Sequence, residues 1–179
     1  MPKKRPIPVW INLMSLIRYE HMPEYPIQLM TQGFLDLTDP ACPVLSYTET
    51  IPDDSDGSEI IAEVTLRMES GCVTMDRRGE YANTMVFVQG QRYEGMYYTP
   101  FGEIPMAIFT RDVQWTVGRD SGSVHLKYRL HIQGNDTSAN EIHLAYFTSG
   151  HKPLRRRKPP ASRPVNSQES PEENGSVPK

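Results

Sequence analysis

Glu49 and Arg77 are the residues whose types and placement offer the most chemistry. In Leu45-Ser46-Tyr47-Thr48-Glu49-Thr50-Ile51 the apolar side chains fall at odd positions, so Tyr47 and Glu49 share a strand face with Leu45 and Ile51. In Val73-Thr74-Met75-Asp76-Arg77 the same alternation sets Arg77 beside Val73 and Met75. A carboxylate and a guanidinium on apolar faces must pair, because a lone buried charge is costly and the planar guanidinium fork matches a carboxylate. Two readings of such a pair stay open. One is a structural ion pair that pins strand register or meets water at a barrel mouth. The other is a polar anchor for a ligand headgroup, or a general acid/base.

His125, His131 and His143 fall on the polar faces of two alternating runs near the C-terminal end of the folded region. If the chain turns near Asp136 and Thr137, facing positions sum to about 274 and His131 stands opposite His143. No third metal ligand is evident nearby in sequence, so the expectation is solvated surface histidines and no metal. Tyr93, Met96, Tyr97, Tyr98, Phe101, Met106, Phe109 and Trp115 form a dense aromatic and methionine run, mostly core by composition. Such side chains also adapt to irregular apolar guests. Tyr98 therefore joins Tyr47, Glu49 and Arg77 in the ligand-binding set expected in the interior.

No GxGxxG follows a strand, and GxxxxGK[ST], HExxH and GxSxG are missing. Glu59 and Glu63 precede Glu69, but the alternating Glu-x-Glu-x-Lys of phosphate-binding tunnel barrels is absent. No catalytic residue and no cofactor is expected.

The elements that position these groups are strands. Val124-His125-Leu126-Lys127-Tyr128-Arg129-Leu130-His131-Ile132-Gln133 alternates strictly, and Ile142 to Phe147 repeats the pattern after a turn-rich stretch from Gly134 to Asn140. Further strands read as Ile7 to Glu20, Gln28 to Leu37, Val44 to Ile51, Ile60 to Glu69, Cys72 to Arg77, Thr84 to Val88, Arg92 to Thr99 and Ile104 to Val117. Turn signals such as Asp39-Pro40, Ser70-Gly71, Gln89-Gly90 and Pro100-Phe101-Gly102 separate them. About eight to ten strands in sequential hairpins predict an all-β, antiparallel, up-and-down barrel, with a two-sheet sandwich as the alternative.

The 179 residues suit one domain, predicted over 7–148 after a flexible N-terminus over 1–6. From 149 to 179 the apolar periodicity stops, and Pro, Ser, Glu and Asn dominate, which predicts a disordered tail. The tail is basic: residues 151–179 carry seven Lys/Arg against three Glu, leaving −7 of the net −3 on residues 1–150. That acidic body argues against DNA binding by the fold, while Arg155-Arg156-Arg157-Lys158 reads first as a solvated linker, with contact to RNA, anionic lipid or an acidic protein face as the alternative. Lys3, Lys4 and Arg5 precede an apolar stretch, but Asn12 and Ser15 interrupt it and no small-residue cleavage site follows, so it reads as a strand. No stretch reaches the length of a membrane span. Cys42 and Cys72 form no CxxC pair and read as reduced, which with the preceding points to the cytoplasm.

The ordered motifs Thr31-Gln32-Gly33, Tyr47-Thr48-Glu49, Arg77-Arg78-Gly79, Thr84-Met85-Val86-Phe87, Tyr98-Thr99-Pro100-Phe101-Gly102 and Tyr128-Arg129-Leu130 resemble the YwiB-like family of bacterial proteins of unknown function. The resemblance runs from about Ile7 to Phe147 and implies a calycin-like, lipocalin-like barrel; it carries no established activity. The expectation is thus a cytosolic barrel that binds a small, partly apolar ligand. The alternative is an interaction protein with a filled barrel and a basic disordered tail.

Overall fold

The structure, a computed structural model, describes residues 5–53 and 55–150. The predictions for residues 1–4 and for the tail from 151 lie outside the described residues.

Among the described residues ten antiparallel strands follow one another: β1 (Ile7–Tyr19), β2 (Tyr25–Asp36), β3 (Val44–Pro52), β4 (Glu59–Glu69), β5 (Cys72–Gly79), β6 (Ala82–Val88), β7 (Arg92–Thr99), β8 (Gly102–Val117), β9 (Ser121–Ile132) and β10 (Asn135–Phe147). Each pairs with its sequence neighbours, and β1 pairs with β10, which closes the barrel and decides against a sandwich. Closure removes the free edges that a ten-stranded open sheet would carry. No helix among the described residues is long and apolar enough to cross a membrane.

Alternation supplies the interior. Val9, Ile11 and Leu13 on β1, Val64, Leu66 and Met68 on β4, and Leu126 and Tyr128 on β9 all lie in one buried cluster. The aromatic members interlock: Phe87 and Tyr128 meet edge to face with centroids 5.1 Å apart, an arrangement favoured by the ring quadrupoles. Gly33 on β2 belongs to this interior because a Cβ there would stand 2.4 Å from the Ser46 carbonyl oxygen and 2.6 Å from Ile11 Cδ1. Only a residue without a side chain lets β2 approach β3 there.

The last hairpin differs from the expectation. Its turn is the two residues Gln133 and Gly134, at φ 52° and 79°, and β10 begins at Asn135. Positive φ at both central positions matches the right-handed strand twist, so this two-residue turn wins over a longer loop. Polar residues hid the start of β10, since Ser138 and Asn140 point inward where an apolar alternation was sought. An irregularity between Asp136 and Ser138 then sets the register. His125, not His131, stands opposite His143, and His131 faces Asp136.

The two ends of the barrel are chemically unlike. Toward the turns at Gly71 and Gly90 the interior is closed by Leu35, Leu45, Met68, Val73, Phe87 and Tyr146, all under 2% exposed. Toward the opposite end, where β3, β5 and β7 finish and β4, β6 and β10 begin, the inward positions include Glu49, Arg77, Asn83, Tyr97, Ser138 and Asn140. Strand pairing between β2 and β3 thins there, since these strands pair only from Asp36↔Val44 to Gly33↔Tyr47. By contrast β6 meets β7 at this end, at Ala82↔Tyr98 and Asn83↔Tyr97, and their ladder stops short of the Gly90 turn.

Candidate functional site

Glu49 on β3 and Arg77 on β5 face the interior from either side of β4, and Arg77 Nη2 donates to Glu49 Oε2. The Tyr47 hydroxyl donates to the other carboxylate oxygen, Oε1, at 3.3 Å. Glu49 is 8% exposed as a residue, and a carboxylate so buried needs the donors that both neighbours supply. Arg77 is more open, with a quarter of its side chain, 25%, reaching solvent. Its guanidinium has five N–H donors, and Glu49 leaves several of them free.

Three tyrosines surround that charge. Burial pushes the Tyr47 and Tyr97 hydroxyls above their ordinary range and takes Tyr128 up to about 12, with the Arg77 charge opposing the rise in each case. All three therefore stay protonated and serve as hydrogen-bonding groups at neutral pH. Tyr97 stacks on Tyr81, with ring centroids 6.2 Å apart.

Asn83 faces Arg77 across the β5–β6 ladder, and its Oδ1 is buried with no hydrogen-bond partner among the described residues. A buried acceptor without a donor is costly, and ordered water or a ligand is the usual remedy. Ser138 and Asn140 satisfy each other instead, through Asn140 Nδ2 to Ser138 Oγ at 2.9 Å.

Of the four residues expected in this interior, Tyr47, Glu49 and Arg77 are brought together by the fold, and Tyr98 is not. Tyr98 is 47% exposed on the outer face of β7. Strand β7 places Tyr93, Gly95 and Tyr97 inward, so a register of one residue separates the expected tyrosine from the one that reaches the interior. Sequence reasoning also missed Asn83, Ser138 and Asn140. The signal was present for Asn83, which alternates in phase with Met85 and Phe87, and for Asn140, in phase with Ile142 and Leu144.

An open depression lies at the other end of the barrel, lined by Thr116, Gly118, Gly122, Ala145 and Phe147 among others. None of the described residues lining it is charged, and the Tyr146 hydroxyl is occupied there, donating to the Gly118 carbonyl at 2.7 Å and accepting from the Gly118 amide at 3.1 Å.

A family model described as a domain of unknown function, DUF1934, matches residues 11–144. Among solved structures, the crystal structure of the ywiB protein from Bacillus subtilis is similar at a TM-score of 0.69 and 21% identity, over 81% of this chain and 94% of that one. No curated protein matches the chain.

Proposed function

The chain belongs to the DUF1934 family of domains of unknown function, and from that premise we propose that its barrel is a cytosolic, calycin-like binding module for one small, partly apolar molecule. The ligand lies over the polar end of the interior. Its hydrogen-bond-accepting headgroup, a carboxylate or carbonyl, takes the donors of Arg77 that Glu49 leaves free, and its apolar body lies against Tyr97, Ile17 and Ile51. Those two isoleucines face the same end and are half-buried.

The observation that carries this reading is the contrast between the ends: a packed apolar plug at one, and at the other a paired charge, an Asn83 oxygen with no partner among the described residues, and thinned pairing of β2 with β3. Binding fits better than catalysis because both Glu49 oxygens are already engaged, one by Tyr47 and the other by Arg77. Cys42 and Cys72 are both free thiols, which fits a reducing compartment.

Native mass spectrometry of protein purified without denaturation tests the proposal. The expected result is a mass excess in the wild type that is lost in Arg77→Met. A bare mass in the wild type from every expression host tried would overturn it and favour a filled barrel that contacts another macromolecule.

A further inference from the structure

We propose that His125, His143 and Glu141, on the outer face of the β9–β10 hairpin, form a binding site for a divalent late first-row transition ion, with zinc as the best-suited. The site is separate from the interior end of the barrel and rests on none of the argument about the ligand.

The register creates it. His125 and His143 are directly opposed across the ladder, and Glu141 lies two residues before His143 on the same face of β10. The two imidazoles stack with centroids 3.9 Å apart and planes 15° from parallel. Both converge on one carboxylate oxygen: Glu141 Oε1 is 3.0 Å from His125 Nε2 and 2.9 Å from His143 Nε2. One ligand atom from each residue lies within 4.8 Å of the other two. Around zinc, with metal–ligand bonds of about 2.0–2.2 Å, tetrahedral ligand atoms stand roughly 3.3–3.6 Å apart. The ligand atoms are therefore near that spacing, and binding would rotate the two rings out of their stack so that both lone pairs aim at one ion.

Three further features favour a metal over a plain ion-pair cluster. Asp112 Oδ2 on β8 lies 3.6 Å from His125 Nδ1, where its charge favours a proton on that nitrogen and leaves Nε2 free as the ligand. The donor set of two imidazoles and one carboxylate suits zinc, nickel or copper, and not magnesium or calcium, which require oxygen. The His143 side chain is 54% exposed while His125 and Glu141 are 20% and 17% exposed, so the cluster is anchored on one side and open to a water ligand on the other.

Two cations work against it. Lys127 Nζ and Arg18 Nη1 lie 3.6 Å and 3.8 Å from Glu141. Both cationic side chains are 46% exposed and Arg18 has a second partner in Glu24, so they can swing away at modest cost. Their effect is to weaken the site, which provides a handle on it.

The test uses the full chain, stripped with EDTA, exchanged into metal-free buffer and titrated with zinc chloride by calorimetry. One equivalent should bind, with affinity at least tenfold weaker in His143→Ala and Glu141→Gln and tighter in Lys127→Gln, while magnesium chloride gives no heat. Cobalt(II) in place of zinc should give visible bands that the His143→Ala variant loses. His143 is exposed, so its replacement leaves the barrel folded, as circular dichroism can verify. Zinc binding unchanged in His143→Ala would place the ion elsewhere on the chain and overturn the proposal, as would absence of one-to-one binding in the wild type.

Discussion

Arg77 on β5 and Glu49 on β3 are ion-paired across the intervening strand β4, although 28 residues separate them in the chain. The pair is made inside a barrel, where each charge depends on the other. Glu49→Gln and Arg77→Met should therefore each cost about 3 kcal/mol, the low end for breaking a buried pair because Arg77 is partly open, while the double variant recovers part of the loss. A double-mutant cycle by urea unfolding measures this. Simple additivity of the two losses would show that the residues do not interact.

Gly33→Ala should destabilise the barrel by about 1–3 kcal/mol through overpacking. The added methyl would meet the Ser46 carbonyl and Ile11, neither of which can retreat without parting β2 from β3. Chemical unfolding of the variant gives the answer, and an unchanged midpoint would mean that β2 and β3 do not approach as described.

Asp76 should make the stability of the chain pH-dependent in acid. Burial raises its carboxyl, but hydrogen bonds from Thr84 and Arg67 outweigh this and hold it below the usual 3.8. A folded-state value below the unfolded one contributes stability that is present above about pH 4 and is lost as pH falls through the lowered folded value. Asp76→Asn should accordingly be less stable than wild type at pH 6, with the gap closing toward pH 2. Urea midpoints at both pH values test it; a constant gap would assign the effect to packing.

Ending the chain after Gly150 should leave the melting midpoint unchanged. Residues 151–179 hold Leu154, Val165 and Val177 as their large aliphatic side chains, too few to bury a useful area. A midpoint several degrees lower in the truncated chain would show that the segment docks on the barrel.

Much of this architecture was legible in the chain. Strict alternation in Val124 to Ile132 and in Leu45 to Ile51 specifies half-buried strands, and Gly or Asp-Pro punctuation marks their ends. Because side chains repeat every two residues along a strand, that alternation also placed Tyr47, Glu49 and Arg77 inward before any contact was visible. The same rule failed at Tyr98 because Tyr97 and Tyr98 are adjacent and both aromatic, so composition offers no phase; only the pairing of β7 with β8 does.

What the sequence by itself determined, then, was the strands, their faces and the antiparallel order, since these follow from local periodicity. The tertiary structure alone decided which facing residues meet. A two-residue turn at Gln133-Gly134 with one irregularity beyond it moved the last hairpin by several positions, and that shift put His125 rather than His131 against His143 and brought Glu141 beside both. Register is a property of two strands and the turn between them, and closure of β1 on β10 is a property of all ten. Neither is written in any one segment, which is why the paired charges of the interior were legible residue by residue and the histidine cluster on the outer face was not.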